Sequence, residues 1–335
     1  MCTSFTYYNN DFYLGRNLDL DCGFGEEVVI TPREYRFQFR HEPTIEKHSA
    51  MIGMATIVEG YPLYAEAINE HGLGICGLEF KGNAKYFDLM DGKDNIAPFE
   101  IIPWILSNCV TAKEARNYFE KMNIIDEDFA PNLPLSPLHW IIADKDDCFV
   151  VESTKDGLMI YDNIFGTLTN NPPFPYHLSN MMNYLISNMM NYLNLTPKYP
   201  ENRFSKRLDL EPFANGMGAL GLPGDASSPS RFVKTVFLKE NMTSSGTEEV
   251  NVQQYFRVLN QVSMIKGSVI TKENREDYTV YSACMNATKG IYYYQTYENM
   301  HINSVCMHDE NLDSSVLIAY KLDKTINFLK SNSKA

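Results

Sequence analysis

No stretch of the 335 residues approaches the roughly 20 consecutive apolar positions that a membrane-spanning helix needs, so no such helix is expected. Basic charge is short as well. The 29 Lys and Arg stand against 42 Asp and Glu, a formal net charge of −13, and a nucleic-acid partner is not expected because phosphate binding needs a basic face. Cysteine pairs at metal or redox spacing are missing too. Cys2, Cys22, Cys76, Cys109, Cys148, Cys284 and Cys306 form an odd, scattered set without a CxxC, which points to neither a zinc site nor a disulfide framework. Six of them read as small buried hydrophobes. The histidines are equally dispersed, with no HExxH, so no metal and no cofactor are expected. The start of the chain lacks the charged and apolar segments of a secretory signal, since Asn9, Asn10, Asp11 and Arg16 arrive early, and a cytoplasmic protein is the expectation.

What is present suffices for a large core: 44% of residues are hydrophobic and 13% aromatic. No linker stands out, and residues 1–335 read as one domain. Ser4–Tyr8 and Phe12–Leu14 flank the polar Asn9-Asn10-Asp11, the composition of a hairpin. β-rich runs follow at Glu27–Thr31, Tyr35–Arg40 and Met51–Val58, then from Tyr61 to Phe80. Pro98–Cys109 is apolar at helical spacing, and Thr111 with Glu114 forms a capping box opening a helix to about Met122. Strands return at Leu138–Ala143, Phe149–Ser153 and Gly157–Tyr161. Ser228 as N-cap, with Pro229 at the first helical position, starts a helix to about Glu240, and another spans Val252–Met264. Tyr278–Cys284, Gly290–Tyr297 and Ile302–Met307 are rich in tyrosine and β-branched residues. Helices between two groups of strands predict a layered α+β fold.

Residues 179–194 contain a tandem duplication: SNMMNYLI is followed by SNMMNYLN. Eight residues at about 100° each rotate the second copy by roughly 80°, so the two Met pairs cannot share one helical face. A slipped duplication in a surface loop is the expectation, and a methionine-rich flap over an apolar ligand is the alternative.

Cys2 carries the sharpest chemical signal. Removal of Met1 would give one residue both a thiol and a free α-amine, which titrates near 8, so the amine can take the proton of its own thiol. An amide hydrolase built this way needs a group to hold the amine, oxyanion donors and an acyl pocket. Gly15-Arg16-Asn17-Leu18-Asp19 lies on the second arm of the hairpin and returns beside Cys2. Asp19 can orient the amine, and Arg16 can favour the thiolate, as positive neighbours do. An ordinary surface ion pair between the two is the competing reading.

Met1-Cys2-Thr3, the Gly15–Asp19 run, Asn69-Glu70-His71-Gly72-Leu73-Gly74, Leu168-Thr169-Asn170-Asn171-Pro172 and Gly221-Leu222-Pro223-Gly224-Asp225 with Ser230-Arg231-Phe232 together resemble the choloylglycine hydrolase family. That family comprises bile salt hydrolases and penicillin V acylases, N-terminal nucleophile hydrolases with a four-layer αββα sandwich. The resemblance runs from Cys2 to about Met307. It implies Cys2 as nucleophile with its own α-amine moving the proton, Arg16 and Asp19 positioning that terminus, Asn170 in the oxyanion site, and Arg231 completing the charged cluster. Arg231 also falls near a helix N-terminus, where a cation opposes the dipole, so another demand such as a carboxylate partner is expected to hold it there.

The departure is Glu79, where bile salt hydrolases typically carry asparagine and penicillin acylases tyrosine. An ionised carboxylate accepts hydrogen bonds and donates none. Three outcomes follow: a protonated Glu79, a side chain turned away with its backbone N–H as donor, or weak activity, and the second is favoured. The resemblance thus implies hydrolysis of glycine- or taurine-conjugated bile salts without a cofactor. Penicillin V acylase is the alternative, as is an inactive acyl-ligand-binding protein. The partner is a small N-acyl amide, and a homo-oligomer, a tetramer, is expected.

Overall fold

The computed structural model describes residues 1–184, 219, 221–328 and 330–333. Its first two strands, β1 (Cys2–Asn9) and β2 (Asp11–Leu20), form the anticipated hairpin, with Cys2 opposite Leu18 and Ser4 opposite Arg16. Asn10 turns the chain at φ 63°, a left-handed conformation that asparagine tolerates better than most residues. β2 is then sandwiched on its other edge by β14 (Glu276–Asn286). A Cβ on Gly15 would lie 2.0 Å from the Ala283 carbonyl oxygen, so only glycine fits immediately before Arg16. β15 (Ile291–Thr296) and β16 (Asn303–Cys306) extend this sheet, and β12 (Thr167–Leu168) closes the side beyond β1. The short β13 (Val269–Ile270) pairs with β14.

A second, antiparallel sheet runs β11 (Gly157–Asp162), β10 (Cys148–Thr154), β9 (Leu138–Ala143), β6 (Gly74–Glu79), β5 (Tyr61–Asn69), β4 (Met51–Val58), β3 (Glu27–Thr31) and β17 (Ile318–Lys321). The two sheets share a core that includes Leu14, Ile30, Ile52, Ile68, Leu78, Tyr281 and Met285. Their outer faces are also covered. α1 (Ile101–Asn108) and α2 (Ala112–Lys121) bury Trp104, Ile105 and Phe119 against the second sheet. On the far side of the first sheet, α5 (Glu248–Asn260) lays Val252, Tyr255 and Leu259 on Phe5, Tyr13 and Cys284, with Tyr255 stacked on Phe5 at 3.9 Å between centroids. α4 (Ser228–Asn241) packs beside α5 and contributes Phe232 and Val236 to the core between the sheets. Covering both faces explains why β2 is buried along its length regardless of alternation. The four layers make the expected αββα sandwich. A separate parallel pair, β7 (Asp94–Ile96) with β8 (Met122–Ile124), flanks α2.

Several sequence expectations are corrected. Tyr35–Arg40 is not a strand and makes one isolated bridge, Phe37 to Ile45, because Phe37 and Phe39 are used as loop plugs in the outer core. The helix expected over Val252–Met264 lies at Glu248–Asn260: Thr247 is its N-cap, Glu248 and Glu249 complement the dipole in its first turn, and Met264 N is instead bonded to Thr279 Oγ1 at 2.8 Å. Of the duplicated loop or helix, residues 179–184 belong to α3 (Phe174–Tyr184), which buries Met181, and residues 185–194 lie outside the described residues. All seven cysteines are free, but only Cys76, Cys109 and Cys284 of the six are buried like Cys2, whereas Cys148 and Cys306 are half-buried and Cys22 is exposed. Among the described residues no helix is long and apolar enough to cross a membrane.

Candidate active site

The hairpin brings Arg16 under the first residue of β1. Its Nη2 lies 2.5 Å from Cys2 Sγ, and both side chains are buried. Nη1 donates to the Gly77 carbonyl and lies 3.7 Å from Glu66 Oε2. Glu66 is itself fully buried and accepts from Tyr281 Oη at 2.9 Å and from Tyr292 Oη at 2.5 Å. Burial works against the Arg16 charge, yet the attraction of Cys2 and Glu66 outweighs it and raises its pKa further. Burial also pushes Glu66 up, an effect that Arg16 and the two tyrosine hydroxyls offset in part. The guanidinium therefore stays charged beneath the sulfur.

Asn170 sits on the other side of Cys2, and all of its polar atoms are engaged. Its Oδ1 accepts from Cys2 N at 2.7 Å and from Arg231 Nη2 at 2.8 Å, while its Nδ2 donates to the Glu79 carbonyl at 2.8 Å. Its backbone N–H donates to Ser228 Oγ at 2.8 Å, and its carbonyl accepts from His177 Nε2 at 2.9 Å. His139 Nε2 holds the preceding carbonyl, Thr169, at 2.8 Å. Ser228 is thus not the N-cap that its position before Pro229 suggests; Ser227 takes that place, and the Ser228 hydroxyl holds the Asn170 segment.

Arg231 lies one turn into α4 and is 1% exposed. Its guanidinium donates to the Cys2 carbonyl, to Thr3 Oγ1 at 2.5 Å, to Asn170 Oδ1 and to the Ala226 carbonyl at 3.0 Å. The partners that hold it are therefore uncharged oxygens rather than a contacting carboxylate. Burial lowers its pKa, partly countered by Asp19 at longer range. Asp19 is fully buried at the end of β2. Oδ1 accepts from Thr279 Oγ1 at 2.6 Å, and Oδ2 has no partner. Burial raises the Asp19 pKa, with Arg231, the chain terminus and the Thr279 bond pulling the other way. An orphaned buried carboxylate oxygen is costly unless a donor arrives.

Met1 still precedes Cys2 in this structure, so the α-amine of Cys2 is a peptide nitrogen. The Met1 carbonyl accepts from Asp19 N at 2.8 Å, and the Met1 ammonium donates to the Asp19 carbonyl. The same ammonium lies 3.6 Å from Glu79 Oε2 and 3.9 Å from Asp277 Oδ2. The Glu79 side chain thus points toward the chain terminus. Its backbone is fixed differently. Phe80 N donates to Pro137 O at 2.7 Å, and Leu138 N donates to Tyr86 Oη at 2.7 Å, so Glu79 and Leu138 are a non-hydrogen-bonded pair in the β6–β9 ladder. Antiparallel alternation then turns both the N–H and the C=O of Glu79 away from β9, to the side on which Asn170 meets the carbonyl.

All six candidates, Cys2, Arg16, Asp19, Glu79, Asn170 and Arg231, converge here. Sequence reasoning missed Glu66, Thr279, Ser228 and His177. The Thr279 hydroxyl is reached through a bulge between Thr279 and Tyr281 that no local pattern announces. For Ser228 a signal did exist: three serines, Ser227, Ser228 and Ser230, compete for one cap, with Asp225 already taking Ser227 N at 2.8 Å and Ser230 Oγ at 2.6 Å. Those bonds hold the Asp225 pKa down to about 2.

The chain is 45% identical over 332 residues to the bile salt hydrolase/transferase of Lactiplantibacillus plantarum, covering 99% of this chain and 100% of that one. A solved variant of the conjugated bile acid hydrolase of Clostridium perfringens superposes with a TM-score of 0.90 at 34% identity, covering 99% and 100% of the two chains. A penicillin V acylase from Agrobacterium tumefaciens shares the fold, with a TM-score of 0.74 at 17% identity over 96% and 91%. Residues 2–320 match the family model for linear amide C–N hydrolases, choloylglycine hydrolase family, and the chain belongs to that family.

Proposed function

We propose that the chain, after loss of Met1, hydrolyses the amide bond of glycine- or taurine-conjugated bile salts through a Cys2 thioester. The observation that carries this reading is the orphaned, fully buried Oδ2 of Asp19, the residue whose backbone N–H bonds the Met1 carbonyl at 2.8 Å. Removing Met1 turns Cys2 N into an amine, which supplies the missing donor. Asn170 Oδ1, 2.7 Å from that nitrogen, orients it further. Arg16 at 2.5 Å favours a negatively charged sulfur.

The thiol proton passes to the α-amine as Sγ attacks the substrate carbonyl. Asn170 Nδ2 has two hydrogens, one committed to the Glu79 carbonyl, and the second is available to the developing oxyanion. The Glu79 N–H, directed to the same side, is the second donor, so the glutamate side chain need not serve as one. The α-ammonium then protonates the leaving nitrogen, and the C–N bond breaks to give a thioester. Water, deprotonated by the same amine, releases the bile acid and regenerates the thiol. Arg231 and Ser228 position Asn170, and Glu66 positions Arg16.

The names of the relatives support the bile salt as substrate. Parallel hydrolysis of glycocholate, taurocholate and penicillin V tests it, with turnover of at least one bile conjugate expected. Turnover of penicillin V alone would make the chain an acylase of the other substrate class. Binding without turnover, with hydrolysis restored by Glu79→Asn, would make it an acyl-ligand-binding protein. The reading also takes residues 1–335 as one domain of a cytoplasmic homotetramer, which sedimentation and cell fractionation check.

A further inference from the structure

The carboxylates of Glu79 and Asp277 have no place in the steps above, yet they face one point together. That point holds a cation: the Met1 ammonium, 3.6 Å from Glu79 Oε2 and 3.9 Å from Asp277 Oδ2, with the Asp19 carbonyl accepting a hydrogen bond from it. Bond lengths put Met1 N within about 4 Å of Cys2 N, because only Cα and the carbonyl carbon separate them. In the reaction proposed above, Cys2 N hands its proton to the leaving nitrogen, which must come within about 2.6–3.2 Å of it. The Met1 amine and the leaving nitrogen thus both lie within about 4 Å of Cys2 N, which puts Glu79 and Asp277 within reach of the leaving amine and its first substituents. Arg275, two residues before Asp277, contacts Asp21 at 2.6 Å rather than the pair and acts on Asp277 only through its charge.

We propose that Glu79 and Asp277 form a leaving-group subsite that selects by charge, favouring amides whose amine half is cationic or neutral over those whose amine half ends in an anion. Diamine and basic amino-acid conjugates are the favoured class. Glycine and taurine conjugates remain substrates, cleaved less efficiently. The proposal rests on the Cys2 mechanism and on an N-acyl amide substrate. It gives Glu79 a task separate from the oxyanion, which its backbone N–H serves. Burial, with the Glu79 and Asp21 charges, raises the Asp277 pKa, and the Met1 ammonium and Arg275 pull it down, so a positive group at this point favours the ionised pair.

The test uses three matched cholic acid amides, of glycine, glycinamide and 1,3-diaminopropane, which differ chiefly in leaving-group charge. kcat/KM is measured for the processed wild-type enzyme, Glu79→Gln and Asp277→Asn. Wild type is expected to rank diamine, then glycinamide, then glycine. Each variant is expected to reduce the glycinamide-to-glycine ratio about fivefold, the factor one unit-charge pair at 4 Å carries in a water-like medium, and added salt is expected to reduce the wild-type ratio. A general loss of structure would lower all three values together and leave the ratio unmoved. The same amines acylated with phenoxyacetate form a second series. Turnover confined to that series would defeat the bile-salt assignment while still reading the charge ratio. A flat wild-type ratio, or ratios unchanged in both variants, would overturn the subsite, and so would absence of turnover in both series.

Discussion

Replacing Asp19 by asparagine isolates the group on which the maturation argument depends. The substitution keeps size and can keep the 2.6 Å bond from Thr279 Oγ1, while the oxygen that has no partner before Met1 leaves becomes an NH2 group. In the mature enzyme that NH2 would face the ammonium donor to donor. The loss is a hydrogen bond between charged partners in a fully buried site, worth about 1.5–3 kcal/mol. At about 1.36 kcal/mol per factor of ten, kcat falls roughly 10- to 150-fold. KM changes little, because Asp19 touches the terminus and not the substrate. A second signature follows from sign: a carboxylate favours the charged form of a neighbouring amine, so its removal moves the basic group of the kcat–pH profile to lower pH. The assay is steady-state hydrolysis across pH, on enzyme whose loss of Met1 is verified by intact mass and whose fold is verified by circular dichroism. A correctly processed, folded Asp19→Asn enzyme with kcat within threefold of wild type would refute the reasoning.

Glu66→Ala leaves the buried Arg16 guanidinium without its carboxylate and strips two tyrosine hydroxyls of their acceptor, so unfolding stability should drop by about 3–5 kcal/mol in denaturant titration; a loss under 1 kcal/mol would contradict the role assigned to Glu66. His177 is fully buried, and burial lowers its pKa from 6.5 to about 4. Between those values the unfolded chain binds a proton that the folded one does not, so the stability present above pH 6.5 is lost as pH falls, by about 3 kcal/mol at pH 4. His177→Gln keeps a donor for the Asn170 carbonyl and should flatten that part of the stability–pH curve, and an unchanged slope would count against it. Ser228→Ala removes the acceptor of Asn170 N–H and should lower kcat about tenfold with KM nearly unchanged, whereas an effect confined to KM would show that Ser228 does not act through Asn170.

Much of the site was legible because its parts are local runs. The Cys2 strand, its Asn9-Asn10-Asp11 turn and the Gly15–Asp19 arm are one hairpin, and hairpin register alone returns Arg16 to Cys2. Asn170 was legible only by resemblance, and Arg231 by resemblance and by its unfavourable place near a helix N-terminus. Glu66 was hidden because its meaning depends on Tyr281 and Tyr292, 215 and 226 residues away. Tyr35–Arg40 misled because aromatic and alternating residues also serve as plugs when a loop crosses the covered face of a sheet. β17 escaped notice because a four-residue edge strand, half exposed, carries little pattern of its own, yet it completes the second sheet beside β3. Glu79 shows the converse: its identity stood out at once, but what its side chain faces could be read only from the distances to Met1 and Asp277.

The central claim is that Cys2, as the mature N-terminus, carries the acyl group. Intact-mass analysis of enzyme quenched with acid during turnover of a conjugated bile salt tests it most directly. The account predicts a chain lacking Met1, heavier by one bile acid less water, with the adduct on Cys2 and absent from Cys2→Ala. Turnover by a chain that retains Met1, or by Cys2→Ala, would contradict it.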